Sequence, residues 1–125
     1  MNLVDSSGWL EYFADEANAN FFRKPLESSA KLIVPSICIF EVFKKILYQR
    51  NEDDALQAIA LMQKGEIIPL DISLSLSAAK LSRDLKLPMA DSIILATAKA
   101  YNAVLWTQDK DFENIEGVKF IERKN

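Results

Sequence analysis

Along this chain, short apolar runs alternate with longer stretches in which apolar residues recur every three to four positions. Five runs have strand length, β-branched or aromatic content and flanking turn residues: 2–5 (Leu3, Val4), 32–35 (Leu32, Ile33, Val34), 67–70 (Ile67, Ile68, Leu70), 103–106 (Val104, Leu105, Trp106) and 118–121 (Val118, Phe120, Ile121). Helical patterns fall at 7–14, 16–28, 36–50, 53–64, 73–86 and 88–102. Ser36 after Pro35, and Asp71 or Ser73 ahead of Leu74, are expected to cap helices, and Gly65 to stop one. In the fifth helix Leu74, Ala78, Leu81 and Leu85 follow the spacing of a core stripe. Strands separated by one or two helices cannot join through tight hairpins, so crossover connections predict a mostly parallel α/β sheet covered on both faces. In such sheets ligands bind outside the carboxyl ends of the strands, and acidic residues there are the first candidates for function.

Composition narrows the chemistry. The 125 residues suit a single domain spanning 1–125, and scarce glycine and proline leave little material for a linker. There is no histidine, which excludes a Ser-His-Asp or Cys-His constellation and the histidine-based zinc sites. Cys38 is the only cysteine, so no internal disulfide, redox pair or thiolate-bound metal cluster is available. What remains is carboxylates, lysines, hydroxyls, backbone, or a hard metal ion that prefers oxygen. The opening residues lack a basic region followed by an apolar stretch, and no run approaches the roughly 18 apolar residues of a membrane span, so a soluble cytoplasmic protein is expected. A net charge of −3 argues against holding nucleic acid by bulk electrostatics, although a local basic patch remains compatible with it.

Several acids sit where apolar or neutral residues would be expected. Asp5 directly follows the first strand; it suits a helix cap, and it also points into the expected crevice. Glu41 is the only charged residue between Lys31 and Lys44 and lies among Phe40, Val42 and Phe43. It either pairs with Lys45 one turn on or meets something cationic, because a carboxylate among aromatics is otherwise costly. Asp91 follows Pro88 in a first helical turn, where an acid gains from the helix dipole, yet it shares a face with Ile94, Leu95 and Ala98. Asp109 and Asp111 follow the fourth strand, Asp109 nearer the strand end and Asp111 the better match to an ordinary loop. Taken together, acids after two strands and at the starts of two helices would crowd one sheet edge. Crowded carboxylates repel unless protonated or neutralised, and Mg²⁺ or Mn²⁺ is the ordinary counter-charge. Such a site suits metal-dependent phosphodiester chemistry.

These residues resemble the PIN-domain ribonucleases, and among them the VapC-type toxins of toxin–antitoxin pairs. The resemblance rests on Leu3-Val4-Asp5-Ser6-Ser7, on Pro35 to Glu41 followed by Val42, on Leu87 to Ala98 around Asp91, and on Thr107-Gln108-Asp109-Lys110-Asp111-Phe112, and it covers essentially the whole chain. It implies a five-stranded sheet in the order 3-2-1-4-5 and an acidic site that binds Mg²⁺ or Mn²⁺ and cuts RNA. By position the acids are Asp5, Glu41, Asp91 and Asp109, as catalytic residues and metal ligands, with Thr107 or Ser6 in support; Asp111 matches an acid that only some members carry. A cognate antitoxin and a homodimer are the usual partners.

Aromatic residues crowd the first half of the chain, among them Trp9, Phe13, Phe22, Phe40 and Tyr48, and part of the set is expected to line a groove for an antitoxin helix or a second subunit. Candidate contacts to an RNA backbone are Arg23, Lys24, Lys44, Lys45, Arg50 and Lys110. A rival reading is a receiver-type phospho-acceptor module with Asp71 as acceptor and Thr107 as switch. It expects an acidic pair after the first strand, where Asp5-Ser6 offers one acid, and one helix between strands. A PIN-like fold retained only for binding is a third reading, against which all four acids stand. Of the 18 acids, setting those four aside leaves 14 against 15 bases, so the negative balance belongs largely to the expected metal site.

Overall fold

The computed structural model describes residues 1–124. Among them every apolar run forms a strand and every helical pattern a helix: β1 (Asn2–Val4), α1 (Ser6–Phe13), α2 (Ala19–Leu26), β2 (Leu32–Pro35), α3 (Ser36–Gln49), α4 (Glu52–Met62), β3 (Glu66–Ile68), α5 (Ile72–Leu85), α6 (Met89–Ala100), β4 (Val104–Thr107) and β5 (Val118–Phe120), with a short 3-10 turn at Lys110–Phe112. The strands form one parallel sheet in the order β3-β2-β1-β4-β5. Helices cover both faces because every parallel connection must cross back over the sheet. That explains why Leu3, Val4, Ile33, Val34 and Leu105, consecutive apolar residues without alternation, are all fully buried.

The chain builds outward from β1 to β3, then crosses to the other side of β1 to lay down β4 and β5. The reversal falls between β1 and β4, and a crevice opens at the carboxyl ends of strands at such a switch point. Close packing brings α1 down beside it. A Cβ on Gly8 would come within 2.5 Å of Phe22 Cε1 and 2.6 Å of Val4 Cγ1, so only glycine lets α1 approach α2 and β1 this closely.

Several local expectations need correction. Pro35, in extended conformation, occupies the N-cap of α3 and Ser36 is its first helical residue. This suits the fixed φ of proline just ahead of a helix, and no side chain caps that end. Asp71, not Ser73, caps α5, accepting from Leu74 N at 2.8 Å. Gly65 does not stop α4, which ends at Met62 with Gln63 as C-cap; a Cβ on Gly65 would meet Val34 Cγ2 at 2.9 Å, so it serves close packing on β2. Leu74 and Ala78 are buried as expected, but Leu85, the last residue of α5, is 43% exposed. Of the early aromatics, Trp9 and Phe22 belong to the core, whereas Phe40 and Tyr48 are 59% and 80% exposed.

Candidate active site

Asp5 follows β1 at the switch point. Its Oδ1 accepts from Gly8 N at 2.9 Å and Ser7 Oγ at 2.8 Å, so the helix-cap reading is correct. Its Oδ2 accepts from Thr107 Oγ1 at 2.5 Å, which ties the ends of the two central strands together. Capping therefore does not exclude a second role: a carboxylate offers about four acceptor positions and three are taken. Thr107 Oγ1 also accepts from Asp109 N at 2.9 Å, placing the loop after β4 over the crevice.

Glu41 lies in the second turn of α3 rather than the first. No ion pair joins it to Lys45 among the described residues; instead it accepts from Ser6 Oγ at 2.6 Å, across 35 residues of sequence. Asp91 sits in the first turn of α6 with buried Ile94 and Leu95 on the same face. Asp109 caps the 3-10 turn, accepting from Asp111 N at 3.0 Å. Asp5, Glu41, Asp91 and Asp109 all line one cleft of about 980 Å³.

Asp91, Asp109 and Asp111 each present an oxygen within 4.8 Å of the others. Asp111 thus joins the acids more closely than its loop position suggested. The spacing of Asp109 and Asp111, two residues apart at the start of a 3-10 turn, is the signal that would have found it.

Crowding and burial are visible in the proton affinities. Loss of solvent pushes the Asp5 carboxyl up to about 6, against the pull of its hydrogen bonds from Thr107, Gly8 and Ser7, with Asp109 adding repulsion. Asp91 is pushed up to about 8, first by desolvation and then by Asp109, by a hydrogen bond and repulsion from Asp111, and by Asp5. Beneath them the fully buried Cys38 thiol is raised by burial and by the negative charges of Asp5, Glu41 and Asp91. An all-oxygen donor set in which Asp5 and Asp91 resist ionisation is chemically suited to a hard divalent cation, which would relieve the repulsion.

A second polar cluster escaped the reading of the sequence. Asn18 and Gln108 are each 2% exposed. Asn18 Nδ2 donates to Gln108 Oε1 at 2.9 Å and Gln108 Nε2 to Glu11 Oε1 at 3.1 Å, while Glu11 Oε2 accepts from Asn18 N at 2.8 Å. Nothing in a loop Asn or a Gln after a strand announces burial; the partners are 90 and 97 residues apart. Asp71, by contrast, lies beyond an edge strand and does not line the cleft.

The sequence matches the family model for the PIN domain over residues 3–118. No curated protein sequence matches the chain. Among solved structures, a chain of a toxin–antitoxin complex from Klebsiella pneumoniae is 26% identical, with a TM-score of 0.79 over 95% of this chain and 96% of that one. VapC20 of Mycobacterium tuberculosis, described as a sarcin-ricin loop cleaving toxin, superposes with a TM-score of 0.76 at 17% identity over 90% and 92% of the two chains. VapBC2 of Rickettsia felis, solved with a promoter DNA fragment, gives a TM-score of 0.75 at 15% identity over 97% of each chain. At those last two identities the likeness establishes the fold.

Proposed function

The chain belongs to the PIN-domain family, and from that premise we propose that it is a metal-dependent endoribonuclease acting as the toxin of a toxin–antitoxin pair. The observation that carries this reading is the convergence of Asp5, Glu41, Asp91 and Asp109 in one cleft at the switch point of the sheet. Under this reading all four are catalytic residues and metal ligands, and Asp111 joins them. Mg²⁺ or Mn²⁺, when bound, supplies charge to shield a phosphodiester and lowers the pKa of an attacking water.

The residues of the chain do the rest. Thr107 orients Asp5 from one side while Gly8 and Ser7 hold it from the other, so its carboxylate is presented in a single direction. Ser6 does the same for Glu41. Asp91, Asp109 and Asp111 stand near enough to share a cation. Without an imidazole pair to activate a 2′-hydroxyl, hydrolysis leaves a 5′-phosphate and a 3′-hydroxyl. Incubation of the purified protein with total RNA and Mn²⁺, with and without EDTA, followed by mapping of the cut ends, tests this. EDTA-sensitive cuts with those ends are expected, and 2′,3′-cyclic phosphate ends would overturn the mechanism.

The partner calls for an apolar surface, and the same cleft has one: Leu10, Phe13, Ala58 and Leu61 line it beside the acids. An antitoxin segment seated there would cover the metal site. Exposed Phe40, Ile72, Leu76 and Met89 supply further apolar area for a homodimer. No helix among the described residues is long and apolar enough to cross a membrane, and cellular RNA as substrate fits a cytoplasmic protein. The receiver-type reading loses its support, since Asp71 caps a helix away from the cleft and two helices separate each of the first three strands from the next.

A further inference from the structure

Three cationic side chains line the acidic cleft: Lys45, Arg50 and Arg123. Arg50 is committed to Asp54 at 2.8 Å. Among the described residues Lys45 and Arg123 form no ion pair, although both are exposed beside a cluster of carboxylates. Their positions are opposed. Lys45 lies one turn beyond Glu41 on α3, which leaves β2, and Arg123 follows β5. The strands β2 and β5 flank the central β1–β4 pair, so the two elements leave the sheet three strand spacings, or about 14 Å, apart, with the ends of β1 and β4, and Asp5 and Asp109 that follow them, between.

The chain end carrying Arg123 is held in place. Ile121 N donates to Thr107 O at 3.0 Å, extending the β4–β5 ladder past its last strand residue. The next carbonyl, Glu122 O, accepts from the buried Asn18 Nδ2 at 3.1 Å. The network behind Asn18 has one direction. The Glu11 carboxylate can only accept, so Gln108 turns its NH₂ toward Glu11 and its carbonyl toward Asn18, which leaves the Asn18 NH₂ facing Gln108 and Glu122 together. Two buried amides and the half-buried Glu11 carboxylate thus decide where the main chain delivers Arg123.

We propose that Lys45 and Arg123 grip backbone phosphates of an RNA strand on opposite sides of the acid centre, and that Asn18 is a positioning residue that holds Arg123 there through the Glu122 carbonyl. This rests on the ribonuclease reading. A phosphodiester strand entering a cleft of carboxylates is repelled along its length except where cations offset its charge, and the guanidinium fork of arginine suits phosphate oxygens. An acidic protein segment would also meet two cations, but it carries no regular row of phosphates.

The test is the salt dependence of binding of a fluorescent single-stranded RNA, followed by anisotropy in Ca²⁺, with the RNA checked on a gel for intactness. Each phosphate contact removed from a single strand lowers the slope of log Kd against log salt by about 0.7. Arg123→Ala and Lys45→Ala should each lower it by that amount, and the double variant by about twice as much. Arg123→Lys should keep the slope, as should Lys99→Ala on the exposed end of α6. Asn18→Ala should match Arg123→Ala and add nothing when combined with it; if Asn18→Ala does not fold, the Arg123 and Lys45 variants decide alone. Mn²⁺ affinity by calorimetry should not weaken in Arg123→Ala or Lys45→Ala, since neither residue is a ligand. Unchanged slopes in both single variants, with a wild type that binds and cuts RNA, would overturn the clamp and leave the ribonuclease reading standing. A wild type that neither binds nor cuts RNA would overturn both.

Discussion

Replacing Asp5 by asparagine tests whether the buried acid is held for function at a cost to stability. The substitution is isosteric and imitates the protonated acid. Its carbonyl oxygen can still cap Gly8 N, and its NH₂ can donate to Thr107 Oγ1, which now accepts from Asp109 N and has room for a second donor. What changes is the charge. The carboxyl rises from 3.8 to about 6 on folding, so between those values the folded chain binds more protons than the unfolded one. The Asp5 contribution to wild-type stability therefore falls as pH rises through that window and is level above it. The roughly two-unit rise corresponds to about 3 kcal/mol lost by the wild type near pH 8 and under about 1 kcal/mol near pH 4. Urea unfolding with a chelator present should therefore show Asp5→Asn more stable than wild type by about 3 kcal/mol near pH 8, the gap closing toward pH 4. Added Mn²⁺ should narrow or invert the difference, because a ligand at 100 times its Kd stabilises the folded state that binds it by about 2.7 kcal/mol. An asparagine variant less stable near pH 8, or a difference that ignores pH, would refute the reasoning and leave Asp5 as a structural cap.

Other consequences follow from the same geometry. Asp91, pushed up to about 8, is largely protonated at neutral pH without metal, so Mn²⁺ binding near pH 7 should release about one proton and near pH 9 far less; calorimetry in buffers of different ionisation enthalpy reads this, and a pH-independent zero would refute it. Asp111→Asn should weaken Mn²⁺ binding yet leave the fold intact, since its side chain is exposed and its oxygen belongs to the cluster; unchanged affinity would remove it from the site. Gly8→Ala should destabilise by about 1–3 kcal/mol, because the added methyl meets Phe22 and Val4 in a packed layer, and a variant as stable as wild type in urea would contradict that packing. Cys38, fully buried with a raised thiol, should resist iodoacetamide in the native protein and react on unfolding; rapid native labelling would show that the layer beneath the acids opens.

Much of the candidate site was legible in the sequence because its acids break local patterns. Asp91 stands on an apolar helix face, Glu41 among aromatics, and Asp5 and Asp109 at strand ends, and each anomaly is visible within a few residues. Less legible was any choice between equally good local solutions. Pro35 and Ser36 both suit the start of α3, and Asp71 and Ser73 that of α5; backbone geometry decided between them. Glu41 had a sound local partner in Lys45, but Ser6, delivered by α1 from across the crevice, supplies its hydrogen bond instead.

By itself, the sequence determined the alternation of strands and helices, the parallel two-sided sheet that the spacing requires, and a chemistry limited to oxygen ligands by the absence of histidine and the single cysteine. Those are properties of periodicity and composition, which act over short spans or over the whole chain. Only the tertiary structure decided which groups meet: that Thr107 reaches Asp5, that Asp111 closes on Asp91, and that Asn18 holds the chain ahead of Arg123. These contacts join residues up to 104 positions apart. They exist because crossovers in a parallel sheet bring every strand's carboxyl end to one edge.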